Sequence, residues 1–175
     1  MTTTATALEP GAPLFNERAE SLRRRIVKPW GFRMYLLGRL PLAAAAGLRV
    51  LRLDEEGCTV RLPGGWRTRN PFGSTYFAAQ AMAAEMSTGA PAMVLVEGAP
   101  ASVALILREI KCVFSKRIEG PSTFTFAAVP ALQAAILRAA ATSEPVLFVA
   151  HATGHDSSGA PCAAFEVTWS FKRRG

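Results

Sequence analysis

Glu85 is the residue in this chain best placed to do chemistry. It is the lone charge between Ser74 and Gly89, a stretch dominated by alanine, methionine and aromatic residues in which Gln80 is the other large polar side chain. A helix that is apolar all round belongs inside a protein. A carboxylate on it must be hydrogen-bonded, paired or kept protonated. Desolvation raises its pKa and makes it a stronger base, and buried carboxylates of this kind concentrate at functional sites. Just upstream runs Asn70-Pro71-Phe72-Gly73-Ser74-Thr75-Tyr76-Phe77. Asn70 suits the cap of a turn or helix, Gly73 permits close packing, Tyr76 suits packing, and Gln80 either bonds locally in the core or faces a pocket.

Other arrangements fall short of a site. His151 and His155 are the only histidines, four apart on an expected strand. Two histidines without a third ligand make a poor metal centre, so no metal is expected. His155-Asp156-Ser157 has the letters of a catalytic triad, but adjacent residues in a turn do not converge as a triad does. There is no nucleophile elbow, phosphate-binding loop or dinucleotide fingerprint. Cys58, Cys112 and Cys162 form no CxxC pair and are read as small core residues of a protein from a reducing cytosol.

The elements that must position Glu85 follow from periodicity. Half of the 175 residues are apolar, enough for one domain with a real core. Residues 1–13 are rich in Thr, Ala and Pro and read as a disordered tail. Leu14–Val27 is a short charged helix ended by Pro29. Phe32–Ala46 is a second, more apolar helix split or kinked at Pro41, with Phe32, Tyr35, Leu36 and Leu40 spaced to pack on a sheet. Alternation then sets in. A hairpin runs through Leu48–Leu62 around Asp54-Glu55-Glu56-Gly57, followed by a loop and the apolar helix. Strands over Val103–Ile118, Thr123–Val129, Pro145–His155 and Cys162–Lys172 complete the chain, with a short helix over Pro130–Ala141. One apolar helix among hairpin-linked strands implies an α+β domain with a sheet curled around that helix.

The formal charge of +7 favours anionic partners such as nucleic acid, phosphate-bearing cofactors or anionic lipid. The basic residues are nevertheless scattered, and no basic-aromatic motif for nucleic acid is present. Met34–Leu53 is interrupted by Arg39, Pro41, Arg49 and Arg52, so it lacks the roughly 20 apolar residues of a span, and it starts too late for a signal peptide. A soluble, cytoplasmic protein is the expectation.

The order of elements and the segment Asn70-x-x-Gly73-x-x-Tyr76…Glu85 resemble the hotdog-fold thioesterase superfamily. The likeness is nearest to its DUF4442 branch of thioesterase-like proteins of unknown function. Arg69-Asn70, Gly73-Ser74, Ala84-Glu85 and Thr168-Trp169 carry it, over roughly Phe32 to Lys172. The resemblance implies a curled antiparallel sheet around one long buried helix, with an N-terminal helical extension over 14–46 and the hotdog domain over 47–175. It implies a homodimer or, by further pairing, a tetramer, binding acyl-CoA or an acyl carrier thioester at the subunit interface, with no cofactor beyond the coenzyme A of the substrate.

By matching position, the resemblance makes Glu85 the general base or nucleophile, Asn70 the group that positions water or the carbonyl, and Gly73 part of the helix start. Amides of Gly73, Ser74 and Thr75 would polarise the thioester carbonyl. Tyr76 stands where related phenylacetate-type enzymes carry a histidine, and its hydroxyl would have to replace that group. Gln80 would face the substrate, and Arg67, Arg69, Lys116 and Arg117 would hold the phosphates of coenzyme A. An acyl-CoA thioesterase is the expected function. A non-catalytic acyl-CoA or fatty-acyl binder on the same fold is the alternative, and a nucleic-acid binder a distant third.

Overall fold

The computed structural model describes residues 13–175. The tail expected over 1–13 therefore lies, apart from Pro13, outside the described residues. Three helices come first: α1 (Glu17–Val27), α2 (Pro29–Arg39) and α3 (Pro41–Ala46). Asn16 caps α1 by accepting from the Ala19 amide, and its Nδ2 donates to Gly98 O at 2.7 Å, tying α1 to the far end of the central helix. The expected second helix is divided before Pro41, as its sequence implied, but it begins at Pro29, whose fixed φ suits a first helical turn. Of the four residues expected to pack, Phe32 and Leu36 are buried while Tyr35 and Leu40 are exposed.

The strands are β1 (Arg49–Leu53), β2 (Cys58–Leu62), β3 (Val103–Phe114), β4 (Ser122–Phe126), β5 (Val146–His155) and β6 (Pro161–Arg173). They form one antiparallel sheet in the order β1-β2-β4-β5-β6-β3. Alternation builds its inner face from Val60, Leu62, Phe124, Phe126, Ala150, Ala152, Phe165, Val167, Trp169 and Phe171, all buried. Helix α4 (Phe77–Glu97) lies against that face and packs chiefly over β2, β4 and β5, while α5 (Val129–Ala141) packs on α4, β5 and β6.

Helix α4 is longer than its sequence signalled. It continues two turns beyond Gly89 and includes Pro91, although an interior proline costs ~3 kcal/mol. Burial of Ala90, Pro91, Ala92, Val94 and Leu95 offsets that cost.

The cysteine expectation needs one correction. Cys58 and Cys162 are buried, and burial pushes the Cys58 thiol up to about 12. Cys112 is exposed. By register it shares the concave side of β3 with Ile110 and Phe114, opposite Phe165 of β6. Among the described elements that half of β3 is an edge of the sheet, and the inward-facing Cys112 and Phe114 there meet solvent.

Candidate functional site

Glu85 sits two turns into α4, on a stripe with Ala78, Ala81 and Met82 that is only half buried. Its Oε1 lies where a Cβ on Gly89 would come within 2.9 Å, and the Trp169 ring would meet the same Cβ at 3.2 Å. The glycine thus lets both groups close over the helix. Trp169 is itself fixed, because its Nε1 donates to Thr88 Oγ1 at 3.0 Å and Thr88 Oγ1 donates to Glu85 O at 2.9 Å. Among the described residues the Glu85 carboxylate has no hydrogen-bonding or ion-pair partner, and burial raises its pKa above the usual glutamate value. A half-buried, unpaired carboxylate at the rim of the core can exchange a proton with a bound molecule.

The segment before α4 is a tight loop organised by Asn70. Its Oδ1 accepts from Phe72 N at 3.0 Å and Ser74 N at 3.1 Å, its Nδ2 donates to Ser74 Oγ at 2.9 Å, and its backbone N–H donates to Ser74 O. Gly73, at φ +84°, takes the left-handed conformation that closes the loop. Arg117 Nη2 donates to Phe72 O at 2.9 Å across the loop.

The expected oxyanion donors are corrected by this bonding. Gly73 N donates to Asn70 O, Ser74 N to Asn70 Oδ1, and Thr75 N to Ile118 O. Tyr76 N is also taken, by Thr68 O. The sequence placed the helix start at Ser74, whereas α4 begins at Phe77. The first-turn amides without an acceptor among the described residues are accordingly those of Phe77 and Ala78.

A cavity of about 510 Å³ opens at this helix start. Asn70, Ser74, Thr75, Tyr76, Gln80, Lys116 and Arg117 line it together with Phe72, Phe77, Phe114 and Ile118. Gln80 is buried, with Nε2 donating to Thr75 O at 3.1 Å and Oε1 without a partner. Lys116 is held by Asp156 at 2.9 Å and Arg117 by Glu119 at 3.0 Å. Tyr76 is half exposed and stacks edge-on against Phe77. The sequence-expected residues therefore split. Seven share this cavity, and Gly73 belongs to its loop. Arg67 lines a different cavity beside β1 and β2, Arg69 is exposed with its backbone bridged to Thr75, and Glu85 lies further along α4.

The profile of DUF4442, a domain of unknown function, matches residues 29–171. The chain belongs to the DUF4442 family. No curated protein matches it significantly. Among solved structures, this DUF4442 protein is similar to a Pseudomonas aeruginosa protein of unknown function described as a probable thioesterase, at TM-score 0.70 and 17% identity over 86% of this chain and 99% of that one. It is also similar to a Haemophilus influenzae thioesterase, at TM-score 0.61 and 12% identity over 83% and 91% of the two chains. A Staphylococcus aureus thioesterase matches at TM-score 0.57 and 12% identity over 75% and 98%. With the sheet wrapped on α4, these likenesses make the fold a thioesterase-like hotdog.

Sequence reasoning missed the clamp of Thr88, Gly89 and Trp169 around Glu85. The signal was present, since residues three and four positions after Glu85 share its helix face, and both are small or hydroxylic. It also missed the apolar cavity walls Phe72, Phe77 and Phe114, which meet only through tertiary folding. Among the described residues no cluster suited to holding a metal ion is found.

Proposed function

We propose that this DUF4442 protein hydrolyses acyl thioesters, with Glu85 taking the proton from the attacking water. The observation that carries this reading is the unpaired, desolvated carboxylate of Glu85, with its pKa raised, on the half-open stripe of the central helix. Water loses a proton to Glu85 while its oxygen bonds to the carbonyl carbon, and the carbonyl electron pair moves to oxygen. Collapse of that tetrahedral intermediate breaks the C–S bond. The leaving thiolate takes the proton back from Glu85, giving acid and thiol.

The oxyanion needs donors within hydrogen-bond reach, and the available ones are the Phe77 and Ala78 amides. Ala78 and Glu85 are seven residues apart, about 10 Å along the helix axis. One carbonyl cannot touch both on the same helix. A site uniting them draws the carboxylate from one chain and the helix start from another, which makes a homodimer part of the mechanism.

The sheet offers a seam for that dimer. Strand β3 is a 12-residue edge carrying exposed Ile106, Leu107, Val113 and Phe114, and a long apolar edge is a template for pairing with a second copy. Lys116 and Arg117 then stand as phosphate anchors for coenzyme A or an acyl carrier prosthetic group, and the Gln80 Oε1 serves as an acceptor for substrate or water. Two solved variants of the S. aureus thioesterase replace a glutamine and a glutamate fifteen positions apart, the spacing of Asn70 and Glu85 here. This favours Asn70 as a water-positioning group as well as a loop former.

A non-catalytic acyl-CoA binder is the second reading, favoured by Tyr76 in place of a histidine. The test is thiol release from short, long and aromatic acyl-CoAs by wild type and Glu85→Gln. Turnover lost in the variant supports hydrolysis. Equal background rates from both proteins, with acyl-CoA bound, establish the binder instead.

A further inference from the structure

At the edge of the sheet opposite β3, helices α1–α3 and strands β1 and β2 enclose a cavity of about 700 Å³, within the size range of small-ligand sites. Four arginines from four segments line it: Arg33 on α2, Arg49 on β1, Arg61 on β2 and Arg67 in the turn after β2. Among the described residues none of them has a carboxylate partner. Arg49 and Arg61 are direct cross-strand partners, about 5 Å apart at Cα. Like charges opposed in this way destabilise a sheet unless an anion lies between them. Between Lys28 and Leu53, the stretch that carries Arg33 and Arg49, the chain has no acidic residue.

The rim supplies a second, independent observation. Trp30 lines the cavity yet is 78% exposed, and Trp66, beside Arg67, is 85% exposed. Trp30, Met34 and Leu37 form one exposed stripe along α2 by helical spacing, and Leu42 of α3 is also exposed. Exposed tryptophans and aliphatic side chains next to arginines are the composition of a helix lying in a bilayer interface. At 11 residues α2 is about 16 Å long, and no described helix is long and apolar enough to cross a membrane, so such contact is peripheral.

We propose that the arginine cavity holds the phosphate headgroup of an anionic phospholipid while the Trp30–Met34–Leu37 stripe of α2 enters the bilayer surface. Arginine forks match phosphate oxygens in pairs, and the apolar stripe accounts for a lipid in a membrane rather than a free phosphate ester. This site shares no lining residue with the cavity at the start of α4, so it stands apart from the thioesterase reading.

The test is co-sedimentation with vesicles of phosphatidylcholine alone and of phosphatidylcholine mixed with phosphatidylglycerol, with soluble glycerol 1-phosphate as the second probe. Wild type should bind the mixed vesicles and leave the neutral ones. Arg49→Gln/Arg61→Gln should weaken that binding tenfold or more, given roughly fivefold per cation at an anionic surface. Its melting temperature without lipid should match or exceed wild type, because an opposed like-charge pair has been removed. Trp30→Ala/Leu37→Ala should weaken vesicle binding while leaving the arginine pair intact. Arg138→Gln/Arg174→Gln, exposed on α5 and after β6, removes the same charge elsewhere and should bind nearly as wild type. Equal weakening by that control would reduce the effect to net charge and overturn the site. So would wild type that binds neither vesicle, binds both alike, or binds only glycerol 1-phosphate. Hydrolysis of soluble acyl-CoA should be unchanged in Arg49→Gln/Arg61→Gln, which separates this inference from the fate of Glu85.

Discussion

Replacing Thr88 by valine should destabilise the protein by about 2 kcal/mol, although the two side chains have nearly the same shape. Trp169 is 4% exposed, and its Nε1 has Thr88 Oγ1, at 3.0 Å, as its hydrogen-bond partner. Valine leaves that donor buried and unpaired, at about 1–3 kcal/mol. The second bond of the hydroxyl, to Glu85 O, is less costly to lose, because that carbonyl still faces the helical amide of Gly89. Helix propensity hardly changes between Thr and Val, and no cavity forms. With a urea slope near 2 kcal/mol/M, the unfolding midpoint should fall by roughly 1 M, measured at fixed protein concentration so that any self-association is held constant. Thr88→Ser keeps the hydroxyl and should lose distinctly less. A valine variant as stable as wild type, or a serine variant as damaged as the valine one, would refute the assignment of this hydrogen bond as the pin between α4 and β6.

Glu85→Gln should be more stable than wild type at neutral pH, with the advantage vanishing in acid. The folded state holds the Glu85 proton more tightly than the unfolded chain, so stability falls as pH rises from the ordinary value of 4.5 through the raised folded one, and the penalty persists above it. Urea titrations of both proteins across that range read it out, and equal pH profiles would show that the carboxylate is solvated. Asn70→Ala should cost about 1–2 kcal/mol through the loop bonds to Phe72 and Ser74, whereas Asn70→Asp, which keeps the acceptor, should cost less in thermal melts. Ile106→Glu/Val113→Glu on the β3 edge should leave a folded monomer in sedimentation velocity and abolish turnover. Full activity in that monomer would rule out a site shared between chains.

How much of this was legible in the sequence depended on whether the signal was local. The β1–β2 hairpin, β4, β5, β6 and α5 fell where alternation and helical spacing put them, because a strand or helix with one buried face writes its period into the chain. The C-terminal half of α4 was not readable. Gly89 and Pro91 are local breakers, and only burial from several sides keeps the helix intact through them. The candidate site was readable in part for the same reason. Glu85 stood out as a charge in an apolar helix. The partner-bound amides of Gly73, Ser74 and Thr75 depend on Ile118 and on the Asn70 loop, and three residues of error at the helix start moved the available donors to Phe77 and Ala78. The group of Arg33, Arg49, Arg61 and Arg67 was invisible because its members come from four segments.

The two edges of the sheet explain why one chain leaves both candidate sites open. Six strands curl around α4 without closing, and among the described residues β3 and β1 are the edges of the sheet. On the β3 side, α4 lies chiefly over β2, β4 and β5 and leaves the concave residues Cys112 and Phe114 exposed and Ile110 half-buried. Glu85 faces the same margin through Trp169, which pairs in register with Leu107 of β3. A second copy seated there would cover the apolar residues, complete the backbone pairing and bring a helix start towards the carboxylate. On the β1 side the chain supplies its own cover in α1–α3, whose Arg33 joins Arg49, Arg61 and Arg67 around the cavity while Trp30 stands exposed at its rim. A protein partner burying that edge would have to neutralise the opposed Arg49 and Arg61, while an anionic bilayer supplies phosphate and apolar depth together. The different chemistry of the edges therefore supports the two proposals separately, another copy of the chain at β3 and a lipid surface at β1.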